Sequence, residues 1–438
     1  MKKYYQAALL VTALVSLVSL LFYRHEYNKL RYVLEVFNYF GKPNQRSAET
    51  NCTDNVSIFS KFSVRLEEPT SSWQRLENDL YVYSAYNIRD KEIQAVGLAS
   101  LNVIKDVQCA VLFENTVPIL GSFSSIPIDN GTNVDKNFDH RGYHFYCAYT
   151  RNEIPVGVMF LTEFDSNQFE YDATPILPLK TQPQSLDYTN AAICIIPPTI
   201  RSMQLSQMIS FINFHDLIGV DNFIVYDFGI PNDFNSRFRE LSRSQSPYWK
   251  FTYTVLPWNF PFLGLDSSII RDLIQADCLY RTYNKVMYVV AISWEEYIVL
   301  KYHHTLTDLM KDYKKSRLKA ERYKLSSSTF CTQQTDSPAV KNVSYTIFKK
   351  FTYYPNVPDN QPIYIYNTHE VLSRKNIFTR DIGKDLATVN HYTYCRGNQF
   401  YTETGVEDKS IARFVEDIQS SQMFRTFAKE NKLLLNAR

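Results

Sequence analysis

At 438 residues the chain has room for two or three folding units at about 150 residues each. Its 45% apolar and 15% aromatic content can fill a large core and excludes a disordered chain, while only 12 glycines exclude a collagen-like or glycine-rich array. A formal charge of +2, from 47 basic and 45 acidic residues, provides no broad field toward a polyanion, so nucleic acid is not an expected partner.

From Tyr4 to Tyr23 no residue is charged, and Ala7–Phe22 approaches the roughly 20 residues that cross a hydrocarbon core. The run leads through Leu20, Leu21, Phe22 and Tyr23 straight into Arg24, without the small residues of a signal-peptide cleavage site, which favours an uncleaved anchor. Lys2 and Lys3 on one side and Arg24, Lys29 and Arg31 on the other leave its orientation open. The N-x-[ST] acceptors at Asn51, Asn55, Asn130 and Asn342 all follow the span and favour a lumenal C-terminal side. Residues 1–23 are therefore expected to be a cytoplasmic tip and membrane anchor, and residues 24–75 a polar stem.

Seven cysteines lie scattered without a CxxC or CxxH pair, which argues against a zinc ribbon. In an oxidising lumen they read as two or three disulfides plus at least one free thiol, with connectivity open. Residues 76–180 carry short β-rich runs, Leu80–Tyr83, Ile93–Leu101, Val107–Phe113 and Gly157–Leu161, separated by turn residues. Pro175–Tyr188 reads as a linker.

Strand and helix patterns then alternate through a third unit, residues 189–430. Ala191–Ile196 is an apolar strand, and Leu205, Met208, Ile209 and Ile212 give helical spacing that Gly219 is placed to stop. Phe223–Tyr226 and Phe251–Leu256 read as strands, Ser267–Tyr283 as a helix and Val286–Ser293 as a strand buried on both faces. Thr305-Leu306-Thr307-Asp308 has the form of a capping box, and the basic run Lys311–Lys324 reads as a solvated helix or an anionic-surface patch. The expected fold class is α/β: a mixed or parallel sheet flanked by helices, preceded by a small β-rich module and a single N-terminal transmembrane helix.

Ligands of open α/β sheets bind beyond the carboxyl ends of the strands. Pro197, Tyr226-Asp227 and Ser293-Trp294-Glu295-Glu296 occupy such ends. A strand-end Asp can accept from a ribose hydroxyl, and an adjacent aromatic can stack on a base. Two carboxylates directly after a buried strand must escape burial, pair or bind a cation, and oxygen ligands suit Mg²⁺ or Mn²⁺ bridging a diphosphate.

The run Asp277-Cys278-Leu279-Tyr280-Arg281, followed by Val286 to Val299 with Ser293-Trp294-Glu295-Glu296-Tyr297-Ile298-Val299 at its end, resembles glycosyltransferase family 92. That family shows a helix with D-C-L-x-R and a strand ending D-x-D-E-F-I-V. Tyr81–Tyr86, Cys194 to Pro197, Phe211 to Gly219, Asn222–Asp227 and Pro257-Trp258 agree. The resemblance implies a type II membrane protein of the Golgi or endoplasmic reticulum with a GT-A fold. Its implied reaction is inverting, metal-dependent transfer of a sugar, such as galactose from UDP-galactose, to a glycan acceptor on glycoprotein or glycolipid.

Carried onto this chain, the resemblance places Glu295 at the metal-binding second Asp, Ser293 at the first, and Glu296 at the following Glu. Asp277 and Arg281 become supporting residues, and Pro197, Tyr226, Asp227 and Ser293 become donor-binding candidates. Lys375-Asn376-Ile377 followed by His391 is similar to the K-x-I…H segment, which makes His391 a further metal ligand. His391-Tyr392-Thr393 alternatively echoes an H-Y-R motif. The catalytic base is unassigned, with Glu407 and Asp408 as candidates against a solvated-turn reading. Ser293-x-Glu295 in place of D-x-D removes one charge, and this supports a second expectation: an inactive relative that binds a glycan or a partner.

Overall fold

A computed structural model describes residues 72–425, except for 78, 115–117, 129–138, 163–175, 182–188, 198–204, 244–250, 263–266, 335–344, 355–361, 372–376, 396–404 and 424. The expected anchor and most of the stem, all four glycosylation acceptors, Cys52, Lys375 and Asn376 lie outside the described residues. Among the described residues no helix is long and apolar enough to cross a membrane. They all belong to one compact unit, Ile58–Arg438.

The N-terminal part is built from β1 (Gln74–Glu77), β2 (Leu80–Arg89), β3 (Glu92–Ser100), β4 (Gln108–Phe113), β5 (Ile119–Pro127), β6 (His140–Ala148), β7 (Pro155–Leu161) and β8 (Leu177–Thr181). Their order is β1-β2-β3-β6-β5-β4-β7-β8, and β8 returns to pair in parallel with β2, Ala85 opposite Leu179. Closure turns the expected β-rich module into a barrel, and pairing every strand from β2 to β8 on both sides removes exposed sheet edges. Part of the expected Pro175–Tyr188 linker is thus the closing strand. Its Pro178, which lacks an N–H, sits opposite Gly157 near the strand's start. The Cys109–Cys147 disulfide ties β4 to β6.

The C-terminal part begins with β9 (Thr189–Ile196), α1 (Leu205–Leu217), β10 (Asn222–Asp227), α2 (Asn232–Arg243), β11 (Thr252–Pro257), α3 (Ser267–Thr282) and β12 (Val286–Ser293). The strands run parallel in the order β11-β10-β9-β12. Gly219, at φ +86°, stops α1 as expected. Beyond β12 the sheet becomes mixed. It continues through β13 (Glu296–Leu300), α4 (Leu306–Lys315), β14 (Arg322–Cys331), β15 (Thr352–Tyr353), β16 (Ile363–Asn367), β17 (Thr379–Asp381), β18 (Ala387–Thr393), β19 (Val406–Glu407) and α5 (Val415–Ser420). Here β12 pairs antiparallel with β16, β16 with β14, and β13 with β18. Thr305 caps α4, accepting from the Asp308 N–H at 3.1 Å. The basic run is split: Lys311, Lys314 and Lys315 lie on α4, and Arg322 and Lys324 lie on β14.

Side-chain parity sorts the parallel strands onto two cores. Ala191, Ile193, Ile195, Phe223, Val225, Val290 and Ile292 face α1, whereas Ala192, Cys194, Ile224, Tyr226, Val289 and Ala291 face α3 and the barrel. On the barrel, Tyr83, Tyr86, Val96 and Leu98 point out into that second core, while Leu80, Val82, Ala85 and Ala95 fill the barrel interior.

At this contact Asp277 of α3 is fully buried. Its Oδ1 accepts from Tyr86 OH at 2.6 Å and from Ser84 Oγ, both on β2, and its Oδ2 accepts from Tyr226 OH on β10 at 2.5 Å. Arg281, one turn on, donates through Nε and Nη2 to Oδ2 at 3.1 Å. A buried charge is tolerable only when paired and hydrogen-bonded, and Asp277 meets both conditions with donors from three separate elements. The next residue, Cys278, is disulfide-bonded to Cys194 on β9. The D-C-L-x-R run is therefore a weld between barrel, helix and parallel sheet.

Candidate functional site at the carboxyl edge of the parallel strands

The parallel register sets Ser293 opposite Ile196 and Asp227 opposite Pro257, so the strand-end candidates line one edge. Chain direction reverses between β12 and β13 through Trp294 and Glu295, and Glu296 starts the return strand.

Adjacent carboxylates take opposite paths here. Glu296 is buried: Oε1 accepts from Arg271 Nη2 at 2.6 Å, and Oε2 accepts from the Ser293 N–H at 2.6 Å. Arg271, from α3, also donates to the Ala291 carbonyl at 3.1 Å, so one guanidinium fixes strand and turn together. Burial pushes the Glu296 carboxyl up, but Arg271, His391 and the Ser293 N–H together hold it below the ordinary glutamate value. Glu295 instead keeps part of its side chain exposed, with Oε2 3.6 Å from Nε2 of His391.

His391 arrives because β18 pairs with β13, setting His391 opposite Glu296, while the Tyr392 N–H donates to the Glu295 carbonyl at 2.9 Å. Burial pushes the His391 imidazole down, and the carboxylates of Glu295 and Glu296 outweigh it, holding the ring above the ordinary histidine value. The Cys331–Cys395 disulfide joins the ends of β14 and the β18 segment just beyond these residues.

Glu295, His391, Ser293 and Glu296 thus come together, although His391 lies almost a hundred residues away in sequence. The other candidates have different surroundings. Tyr226 is fully buried and spends its hydroxyl on Asp277, and burial together with that carboxylate raises its phenol pKa, so its ring lies in the barrel contact and is not offered to a base. Asp227 Oδ1 accepts from the N–H groups of Gly229 and Ile230 at 2.8 and 2.7 Å, and Oδ2 accepts from Asn235 Nδ2 at 2.9 Å, which shapes the entry to α2. Pro197 lies half-buried at the end of β9. Asp277 and Arg281 form the weld, away from the turn. Asp408 is held by Lys301 and Ser410, and Glu407 by Lys409 at 2.8 Å, so each carboxylate already has a cationic partner.

Arg271 was not among the expected residues, and a single arginine inside an amphipathic helix carries no sequence signal for such a clamp. A cleft beside Glu295, bounded by Ser206, Gln207, Thr332, Tyr345 and Thr346, was also not foreseen, because its walls come from three distant segments.

Could a divalent cation be held here? Glu295 offers a carboxylate and His391 an imidazole, both half-buried, and among the described residues no group of three or more His, Cys, Asp or Glu assembles. Two protein ligands fit a cation of the Mg²⁺ or Mn²⁺ kind, which takes the rest of its shell from water and substrate phosphates.

A mixed sheet whose parallel strands end in an acidic turn, with three disulfides among the described residues, defines an α/β protein suited to an oxidising compartment. Residues 189–430, more than half of the chain, match glycosyltransferase family 92, and the chain belongs to that family. Membership implies glycosyltransferase activity, hence a transferase enzyme, and together with the disulfides it points to the secretory pathway. No curated protein matches the chain. Among solved structures, apo UDP-glucose pyrophosphorylase is similar over 56% of this chain and 100% of its own, at 9% identity and a TM-score of 0.22, a level that carries no structural argument.

Proposed function

We propose that the chain is a GT-A-type glycosyltransferase of the Golgi or endoplasmic reticulum membrane, held by residues 4–23 with its C-terminal part lumenal. It transfers a sugar, such as galactose from UDP-galactose, to a glycan acceptor with inversion. The observation that carries this reading is the meeting of Glu295 and His391 at the strand edge. In this reading the two residues hold Mn²⁺ or Mg²⁺ against the donor diphosphate, and the half-buried Ser293 hydrogen-bonds the ribose. The cation, when bound, supplies charge stabilisation for the departing diphosphate. Arg271 and Glu296 keep the turn in place, so the rim residues need no rearrangement when donor arrives.

The test is calorimetric titration of UDP and UDP-galactose into the detergent-purified chain, with and without Mn²⁺. Mn²⁺-dependent binding that is lost in Glu295→Ala is the expected result, and unchanged donor affinity in that variant removes the proposed role. A second reading, a relative that binds sugar or a partner without transfer, is favoured by Ser293 in place of a carboxylate. Transfer gained only on Ser293→Asp supports that second reading.

A further inference from the structure

Charge is concentrated at one end of α4. Residues 311–319 carry Lys311, Lys314, Lys315, Arg317 and Lys319 against the single carboxylate of Asp312, a net charge of +4, whereas the whole chain carries +2 and all its other residues therefore −2. The five cations are exposed, three toward the C-terminal end of α4 and two on the loop that follows. Lys311 and Lys315 lie 3.7 Å from Asp308 and Asp312, in solvent-exposed pairs of the kind that hold little energy. Among the described residues no side-chain ion pair or hydrogen bond involves Lys314, Arg317 or Lys319. A helix C-terminus attracts cations, but its macrodipole amounts to about half a negative charge, which one lysine satisfies and five exceed.

The helix end is also closed by backbone alone. The Arg317 N–H donates to the Lys314 carbonyl at 3.2 Å and the Leu318 N–H to the Tyr313 carbonyl at 2.9 Å. That closure puts Arg317 in the left-handed region, at φ +58°. Glycine takes this conformation without strain, whereas arginine takes on strain and leaves its guanidinium in solvent. Strain held at an exposed cation points to something the cation meets outside the chain. Half-buried Leu318 packs on the larger C-terminal core, so the loop that carries the cations is pinned.

We propose that residues 311–319 form a surface site for a sulfated glycan chain, with Lys314, Arg317 and Lys319 on its sulfates. Anionic lipid is concentrated in the cytoplasmic leaflet, on the far side of the membrane from a compartment suited to three disulfides, so a bilayer is not the partner that fits. A disordered acidic peptide loses chain entropy when it orders on an open surface. A sulfated glycan has stiffer rings and permanently ionised groups whose oxygens match a guanidinium fork. The site is remote from the Ser293–Glu296 turn. The Leu306 N–H donates to the Ile218 carbonyl just beyond α1, which places α4 at the amino edge of the parallel strands, and β13 separates it from Glu295 by about 17 Å of chain. The proposal therefore stands independently of the glycosyltransferase reading.

The experiment follows the anisotropy of a fluorescent heparin octasaccharide as the detergent-purified full-length chain is added, with desulfated heparin, hyaluronan and polyglutamate as competitors. Flotation with vesicles of phosphatidylcholine and phosphatidylserine in equal parts runs beside it. The expected result is heparin binding that weakens as salt rises and that the three competitors displace at least about tenfold less well than unlabelled heparin. The triple variant Lys314→Gln, Arg317→Gly, Lys319→Gln should bind heparin at least about tenfold more weakly. Arg317→Gly alone should bind about threefold more weakly while its thermal midpoint holds or rises, because glycine removes the left-handed strain. Where the triple variant loses its fold, this single variant decides. No heparin binding at low salt overturns the proposal, and so does heparin affinity that these variants leave unchanged. Polyglutamate, hyaluronan or desulfated heparin competing as well as heparin overturns the sulfated-glycan assignment. Vesicle binding that needs the same three cations, without heparin binding, overturns it in favour of a membrane surface.

Discussion

Replacing Asp277 by Asn is expected to destabilise the whole described unit by about 3–5 kcal/mol, the range for removing one partner of a buried ion pair. Asp277 is fully buried, and its loss removes the carboxylate to which the guanidinium of Arg281, itself 9% exposed, donates. The amide can still accept hydrogen bonds through its one oxygen, but its NH₂ either meets the donor-only guanidinium of Arg281 or forces the neighbouring hydroxyls to turn round and accept. Domain stabilities are about 5–15 kcal/mol, so the variant forfeits a large share of the total. Tyr86→Phe and Tyr226→Phe each remove one hydrogen bond to a charged acceptor and should cost about 1.5–3 kcal/mol. The assay is guanidinium unfolding followed by tryptophan fluorescence and far-ultraviolet circular dichroism. Trp73 and Trp258, whose rings are 5.6 Å apart, lie in the same barrel-to-sheet core and report directly on it. The two signals should coincide in the unaltered chain because barrel and sheet share this weld. In the pair Asp277→Leu with Arg281→Met, the double variant should lose less than the sum of the singles, by about 0.5–3 kcal/mol. A cost below about 1 kcal/mol for Asp277→Asn, or additive single and double costs, refutes the account of the weld.

His215 is fully buried, with Nδ1 at 2.9 Å from the Phe211 carbonyl and Nε2 accepting from the Ile298 N–H at 3.3 Å. Burial pushes its pKa from 6.5 down to about 3, so the unfolded chain takes up a proton first. Its contribution to stability is therefore complete above pH 6.5 and lost as pH falls toward about 3. The slope is about 1.4 kcal/mol per pH unit, or about 2 kcal/mol by pH 5. Urea midpoints for the chain and its His215→Asn variant should converge as pH falls from 7 to 5, and parallel curves contradict the reasoning. Arg271→Met leaves Glu296 buried without its cation, and an unfolding measurement should show a loss of about 3–5 kcal/mol, whereas a loss under about 1 kcal/mol removes the clamp. Gly219→Ala puts a Cβ at φ +86°, 3.0 Å from the Cβ of Thr305, and should cost more than about 1 kcal/mol in the same measurement. A neutral result there means the turn relaxes freely.

Local periodicity made β9, α1, β10, β11, α3 and β12 legible in the sequence, because an apolar run bounded by turn residues needs no distant information. The barrel was visible only as β-rich runs. Its closure depends on Leu177–Thr181 finding β2, and no local pattern announces a pairing across some ninety residues. The split between Glu295 and Glu296 was half legible: two carboxylates after a buried strand had to diverge, but the partner of Glu296 came from a helix. Tyr226 shows what parity contributes and what strand-end position leaves out. It shares the α3-facing side of the sheet with Ala192 and Cys194, so its ring was committed to the barrel contact before its place at the strand end mattered. Asp227 was placed at the right edge, but the loop N–H groups of Gly229 and Ile230 took its Oδ1 and Asn235 of α2 took its Oδ2.

One helix connects these observations. From α3, Arg271 holds the Ser293–Glu296 turn, Asp277 and Arg281 hold the barrel, and Cys278 holds β9. The turn that presents Glu295 is therefore fixed by the helix that also docks on β2 of the barrel. Residues 189–430 carry the family match, but Asp277 within them is solvated by hydroxyls from Ser84 and Tyr86, which lie outside it. A chain cut at residue 189 would leave an aspartate side chain facing lost donors and strip Trp258 and Phe260 of the rings of Tyr83 and Trp73 that pack on them. The barrel is thus part of the scaffold that positions the site, and its contribution reaches Glu295 through the rigidity of α3.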